Sequence, residues 1–263
     1  MAGRRARAGR TLDFTGFLQA VRLERVATAD PDAYPFSIPA LRTLDELRFD
    51  AGVTFLVGEN GAGKSTLIEA IAVRAGFNAE GGTPNFHFST RATESELHAS
   101  LRLLRTTRRP RASFFLRAES FYNVATEVER LERDNHIPST YGDVLLHEQS
   151  HGEAFMSLVA HKFRPDGLYL LDEPEAALSP QRQLSLLASI HALAHAGSQF
   201  IIATHSPILM AYPGALIYQL DATGIRPVDY EQTEHFEITR DFLNHRERYF
   251  KHLFASDDPT DAE

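Results

Sequence analysis

The stretch Gly58-Glu59-Asn60-Gly61-Ala62-Gly63-Lys64-Ser65-Thr66 constrains this chain more than any other. A glycine, four residues and then Gly-Lys-Ser is the spacing of a phosphate-binding loop. The flanks agree with it. Val53-Thr-Phe-Leu-Val57 is a nearly unbroken apolar run that reads as a strand buried on both faces. Behind the loop, Leu67, Ile68, Ile71, Ala72 and Ala75 fall on one helical stripe, and Gly76 stands where the helix stops. In a strand, turn and helix of this kind, backbone N–H groups at the helix start point at phosphate oxygens and the glycines allow close approach. Lys64 is then placed to reach β- and γ-phosphates, and the Ser65 hydroxyl to ligate Mg2+.

The rest of the chain supplies a framework for that loop. Its 263 residues suit one α/β domain, expected over 11–255. A basic tail over 1–10, with Arg4, Arg5, Arg7 and Arg10, precedes the domain, and a polar tail over 256–263 follows it. The basic tail has no apolar stretch behind it, so it lacks the hydrophobic region of a secretory signal. It reads as disordered, as an upstream-annotated start, or as a short nucleic-acid arm. No apolar run approaches the roughly 18 residues of a membrane helix. Cysteine is absent, which excludes disulfides, thiolate metal sites and a cysteine nucleophile, and agrees with a reducing cytoplasm. A net charge of −8 argues against a protein that coats nucleic acid generally.

Strands and helices alternate. Phe14–Leu23 opens the domain as a strand. Ser150 and Glu153 have capping-box spacing before a helix carrying Phe155, Leu158 and Val159. Leu168–Leu171 and Phe200–Ala203 are buried strands. Between them Ser179 and Pro180 start another helix. Leu216–Leu220 and Ile225–Val228 form a hairpin, and Phe236–Phe254 an amphipathic helix. This order predicts a mostly parallel sheet with helices on both faces and phosphates bound at the strand C-termini. An irregular, arginine-rich, helical insert is expected over about 77–148. It contains a short strand at Phe86–Phe88, a helix at Glu94–Leu104, a strand at Phe114–Leu116, an exposed helix at Val124–Asp134 and a loop at His136–Gly142. Residues 97–118 hold six arginines (102, 105, 108, 109, 111 and 117) and no acid. They form either a solvated face or a patch for nucleic-acid phosphates.

Two strand ends carry chemistry. Leu168-Tyr-Leu-Leu-Asp172-Glu173 ends in adjacent acids: Asp172 is suited to hold the hydrated Mg2+ shared with Ser65, and Glu173 to orient or deprotonate water. Ile201-Ile-Ala-Thr204-His205 ends in a histidine able to donate to a γ-phosphate.

The phosphate loop, Leu-Leu-Asp-Glu-Pro, the Ala177-Leu178-Ser179 turn and Ala-Thr-His-Ser, in this order, resemble the ATP-binding-cassette (ABC) ATPase family. That family includes the DNA-repair and chromosome-maintenance (SMC-like) ATPases. The resemblance covers roughly 50–76 and 145–210. More narrowly, Phe115–Phe121, His147–Glu153 and Glu175–Gln181 are similar to small stand-alone bacterial ABC-type ATPases. The resemblance implies a P-loop fold of ABC-ATPase type, ATP and Mg2+ as ligands, and a head-to-tail homodimer sandwiching two ATPs. Gly58, Asn60, Gly61, Ala62, Gly63, Lys64, Ser65 and Thr66 bind nucleotide in that scheme. Gln149-Ser150-His151-Gly152-Glu153 is the signature covering the partner's γ-phosphate, with Glu173, His205 and Lys64 catalytic. His151 stands where the family has glycine; it either weakens backbone approach or adds a donor. No glutamine occupies the Q-loop, and Glu119 is the positional substitute as a water-mediated Mg2+ contact. Tyr34, with Phe36 as runner-up, is the adenine-stacking aromatic or ordinary packing. The functional expectation is an ATP-gated dimerising switch. The alternatives are a DNA-stimulated maintenance or defence ATPase, the ATP-binding subunit of a transporter, and a nucleotide-gated interaction protein that barely hydrolyses.

Overall fold

The computed structural model describes residues 16–24, 30, 32–84, 96–121, 126 and 150–254. Its first half runs β1 (Leu18–Leu23), α1 (Pro39–Arg42), β2 (Glu46–Arg48), β3 (Val53–Val57), α2 (Lys64–Ala75), β4 (Leu101–Arg105) and β5 (Ala112–Arg117). Its second half runs α3 (His151–Lys162), β6 (Gly167–Asp172), α4 (Pro180–His195), β7 (Gln199–Ala203), α5 (Pro207–Met210), β8 (Leu216–Asp221), β9 (Gly224–Val228) and α6 (Glu234–Leu253).

The central sheet has six strands in the order β5-β6-β7-β3-β8-β9. The first five are parallel, and β9 returns antiparallel to β8 through the expected hairpin. Every residue of β3, β6 and β7 is buried, as a sheet covered on both faces requires. Alternate residues feed two cores. Phe55, Leu171 and Ile202 pack with Phe155 and Leu158 of α3 and Leu186 and Ile190 of α4 on one face. Leu56, Leu170 and Ile201 pack with Leu67, Ile68 and Ile71 of α2 on the other. That second core is closed by a three-stranded antiparallel sheet, β2-β1-β4.

The helix expected over Glu94–Leu104 is not formed among the described residues of that stretch. A 3-10 turn spans Glu96–Ser100, and β4 follows. Leucines 97, 101 and 104 fit a helical period, yet β1 pairs with this segment, Val21 opposite Leu103 and Leu23 opposite Leu101, and that pairing decides the outcome. The strand expected at Phe114–Leu116 is present as the edge strand β5. The tails, Phe86–Phe88, Val124–Asp134 apart from Thr126, His136–Gly142 and Gln149 lie outside the described residues. No helix among the described residues is long and apolar enough to cross a membrane.

Candidate functional site

Register places four strand ends in a row. Arg117 of β5 lies opposite Asp172 of β6, Asp172 opposite Ala203 of β7, and Ala203 opposite Leu56 of β3. The ladder continues past the strands. The Glu173 N–H donates to the Ala203 carbonyl (2.9 Å) and the Thr204 N–H to that of Leu56 (3.1 Å). The loop after β3, the acids after β6 and His205 after β7 therefore leave the sheet side by side, at the C-terminal edge where open α/β sheets bind ligands.

The loop after β3 needs its glycines. Gly58 has φ +148°, and a Cβ there would lie 2.3 Å from the Leu220 carbonyl oxygen. Gly63 has φ +97°, and a Cβ there would lie 2.9 Å from Ile38 Cγ2. Asn60 and Gly61 are exposed at the crest, with Ala62 half-buried behind them. Lys64 is buried and its Nζ donates to the carbonyls of Gly58 (2.9 Å) and Glu59 (3.0 Å). Burial pushes its pKa down, while Glu173, Asp172 and Glu175 push it back up. Thr66 Oγ1 is 3.2 Å from the Tyr34 hydroxyl. Tyr34 is 67% exposed, whereas Phe36 packs against the core beneath α2.

The acids form a coupled group. Ser65 Oγ donates to Asp172 Oδ1 at 2.9 Å. Burial pushes Asp172 up to about 6, against the pull of Arg117 and the Ser65 hydrogen bond. Arg117 places Nε 3.7 Å from Asp172 Oδ2, Nη1 2.9 Å from Glu69 Oε2 and Nη2 3.5 Å from Glu119 Oε2. The Glu119 side chain is 86% exposed, so Arg117 is the charged neighbour that reaches Asp172 from β5. Glu173 sits in the left-handed region (φ 50°, ψ 50°), a conformation that costs a non-glycine residue energy. Its Oε1 is 3.5 Å from His205 Nε2. The His205 backbone N–H donates to Glu175 Oε1 at 2.6 Å, and burial raises the Glu175 pKa. Burial and the Lys64 charge lower the His205 pKa, opposed by Glu173. Its Nδ1 is 2.9 Å from Nε2 of His235 on α6.

The residues expected to form the signature, Ser150, His151, Gly152 and Glu153, stand at the start of α3. The Ser150 N–H and hydroxyl both donate to Glu153 Oε2, at 3.0 and 2.6 Å. Arg182 of α4 donates to Ser150 Oγ (3.2 Å) and Glu153 Oε1 (3.0 Å). A Cβ on Gly152 would lie 2.5 Å from Arg182 Nη1 and 3.0 Å from the Ala177 carbonyl oxygen, so this glycine seats the helix on the turn after β6. His151 is exposed beside it. Ser150 and Glu153 thus bond to each other and to Arg182 of α4.

Five of the six arginines of 102–117 have protein partners. Arg102 pairs with Glu24, Arg105 donates to the Ala75 carbonyl, Arg108 and Arg111 approach Asp166, and Arg117 meets the acids above. They are distributed over β4, β5 and the turn between them.

The donor set fits a nucleotide with Mg2+. A loop closed to any Cβ at Gly58 and Gly63 surrounds a buried cation. One hydroxyl and one carboxylate are the few protein oxygens Mg2+ takes when substrate phosphates and water complete its shell. No cluster of three or more His, Asp or Glu side chains able to hold a metal by themselves occurs among the described residues. His205 Nε2 and Glu175 Oε2 are buried without a hydrogen-bond partner. Sequence reasoning did not single out Arg117, Glu175 as a ligand of the His205 backbone, or His235. The acidic run after β6 hinted at Glu175; nothing local marked the other two.

Family models match two adjoining stretches: one described as "AAA domain" over residues 38–136, the other as "AAA domain, putative AbiEii toxin, Type IV TA system" over residues 136–211. No curated protein matches the chain. Among solved structures, the SMC head domain from Thermotoga maritima is similar at 18% identity, with 81% of this chain and 99% of that one covered and a TM-score of 0.45. The cbiO1 protein from Clostridium perfringens, part of the ABC transporter complex cbiONQ, is similar at 17% identity, with 89% and 97% covered and a TM-score of 0.49.

Proposed function

We propose that the chain is a P-loop ATPase domain of the ABC type that hydrolyses ATP with Mg2+ and works as an ATP-gated dimerising switch, a reading the two AAA-domain matches support. The observation that carries this reading is the convergence of Lys64, Ser65, Asp172, Glu173 and His205 on one sheet edge. Gly58, Asn60, Gly61, Ala62, Gly63 and Thr66 supply the loop amides that bind phosphate, and Tyr34 the aromatic face beside α2. Ser65 and Asp172 hold Mg2+, which when bound neutralises charge on the transferring phosphate. Lys64 exchanges its loop carbonyls for phosphate oxygens. Glu173 accepts a proton as water oxygen bonds to the γ-phosphorus and the bridging oxygen leaves with ADP. His205 Nε2 donates to the γ-phosphate. Ser150, His151, Gly152 and Glu153 of a second copy complete the site, the positive end of their helix dipole turned toward an anion. Glu119, at the exposed rim, would be the carboxylate that supports the metal through water. Mg2+-dependent phosphate release by the purified chain, lost in Lys64→Ala, tests the reading; release that survives in Lys64→Ala contradicts it.

The toxin–antitoxin wording of the family over 136–211 favours, as a second reading, a defence ATPase stimulated by nucleic acid. Framework contacts at Arg102, Arg105, Arg108, Arg111 and Arg117 weigh against a continuous phosphate-binding patch there. Stimulation of phosphate release by double-stranded DNA, abolished by charge reversal at Arg105, Arg108 and Arg109, separates the two.

A further inference from the structure

His205 is held from behind by a side chain outside every motif. His235, the second residue of α6, places Nε2 2.9 Å from His205 Nδ1, with the rings edge-on and 5.1 Å apart. The first turn of α6 is built to keep it there. Buried Thr233 caps the helix, accepting from the Phe236 N–H and donating to the Tyr230 carbonyl (2.8 Å). The Tyr230 hydroxyl in turn donates to the carbonyl of Pro207, two residues beyond His205. Tyr230 also packs on Phe236, ring centres 4.5 Å apart.

One proton lies between the two imidazoles, and its owner sets the tautomer of both. If His205 donated, its Nε2 would carry a bare lone pair 3.5 Å from the Glu173 carboxylate. His235 would then keep its proton on Nδ1, which is buried without a partner. Buried, unpaired N–H donors are the rarest kind of orphan. If His235 donates, the His205 proton on Nε2 faces the Glu173 carboxylate at 3.5 Å, an attraction in place of a lone pair against a carboxylate, and the buried Nδ1 of His235 is an acceptor rather than a donor. Burial and the Lys64 charge push both imidazoles toward the neutral form, which leaves the choice between these two arrangements.

We propose that His235 is a positioning residue: by donating to Nδ1, it fixes His205 as the Nε2–H tautomer, with its one donor aimed at Glu173 and the γ-phosphate position. The catalytic part of this inference rests on the ATPase reading; the tautomer does not. Two measurements therefore test it separately. The first is 15N NMR of the full chain labelled at histidine, with His205 assigned by loss of its signals in His205→Asn. The expected spectrum has His205 protonated on Nε2 in the wild type, with that preference lost in His235→Phe. A wild-type His205 protonated on Nδ1, or a tautomer unchanged in His235→Phe, overturns the proposal. The second is steady-state turnover. In His235→Phe, kcat should fall by about tenfold with KM for ATP changed less than about twofold. In His235→Gln, whose amide nitrogen can replace the Nε2 donor, kcat should recover to within about threefold of wild type. Equal losses in both variants overturn it. A wild-type chain with no turnover counts against the ATPase reading alone, and the spectrum still decides the tautomer. Should His235→Phe fail to fold, the wild-type spectrum and His235→Gln decide.

Discussion

Ser65 Oγ donates to Asp172 Oδ1 across 2.9 Å, although 107 positions separate the two residues in the chain. The hydroxyl arrives on the first turn of α2 and the carboxylate on the last residue of β6. Together they mark the point at which fold stability and nucleotide chemistry compete, because the carboxylate is buried beside a single arginine.

Asp172 is expected to weaken the nucleotide-free fold. An unfolded aspartate loses its proton near 3.8, whereas burial holds the folded carboxyl to about 6. Between those values the folded state binds more protons than the unfolded one, so stability falls as pH rises and the full cost is present above about pH 6. Asp172→Asn should therefore stabilise the nucleotide-free protein by about 1–3 kcal/mol at pH 8, with the gain vanishing toward pH 4. It should also abolish Mg2+-dependent turnover. Urea unfolding with and without the substitution checks this; a loss of stability at pH 8 would show that the Ser65 and Arg117 contacts outweigh desolvation.

Arg117 should matter to the same balance from the opposite side. Its side chain is 18% exposed and sits between Glu69 and Asp172, both more buried still. Removing one partner of a buried charge cluster leaves the others uncompensated. Arg117→Met is expected to destabilise by about 2–4 kcal/mol at pH 7.5 and by less at pH 5, where Asp172 takes up a proton. Denaturant midpoints at the two pH values measure it, and equal losses at both would remove Asp172 from the account.

The central strands, the loop and the two strand-end clusters were legible in the sequence because each depends on local spacing. A buried parallel strand is an apolar run of about five residues, and the phosphate loop needs fixed glycines. The stretch from Leu97 to Leu104 was misread because its leucines satisfy a helical period. Pairing with β1, some eighty positions upstream, set the outcome. The contacts of Arg117 with Asp172 and of His235 with His205 were invisible for the same reason. Arg117 reaches Asp172 only through the β5–β6 register, and His235 reaches His205 only because Tyr230 and Thr233 seat α6 behind α5. Neither relation leaves a pattern along the chain. Glu119 was placed by its position in the sequence alone; its side chain lies at the exposed rim, 3.5 Å from Arg117 Nη2.

The claim that Glu173 takes the proton of the attacking water, while the rest of the site binds nucleotide, is tested most directly by Glu173→Gln. Phosphate release and sedimentation would be measured together in Mg2+ and ATP. The strained backbone at Glu173 and its 3.5 Å approach to His205 place the side chain where only its charge need change. The expected result is turnover reduced by at least about a hundredfold, with the variant accumulating as an ATP-bound dimer. Full hydrolysis by Glu173→Gln would contradict the account.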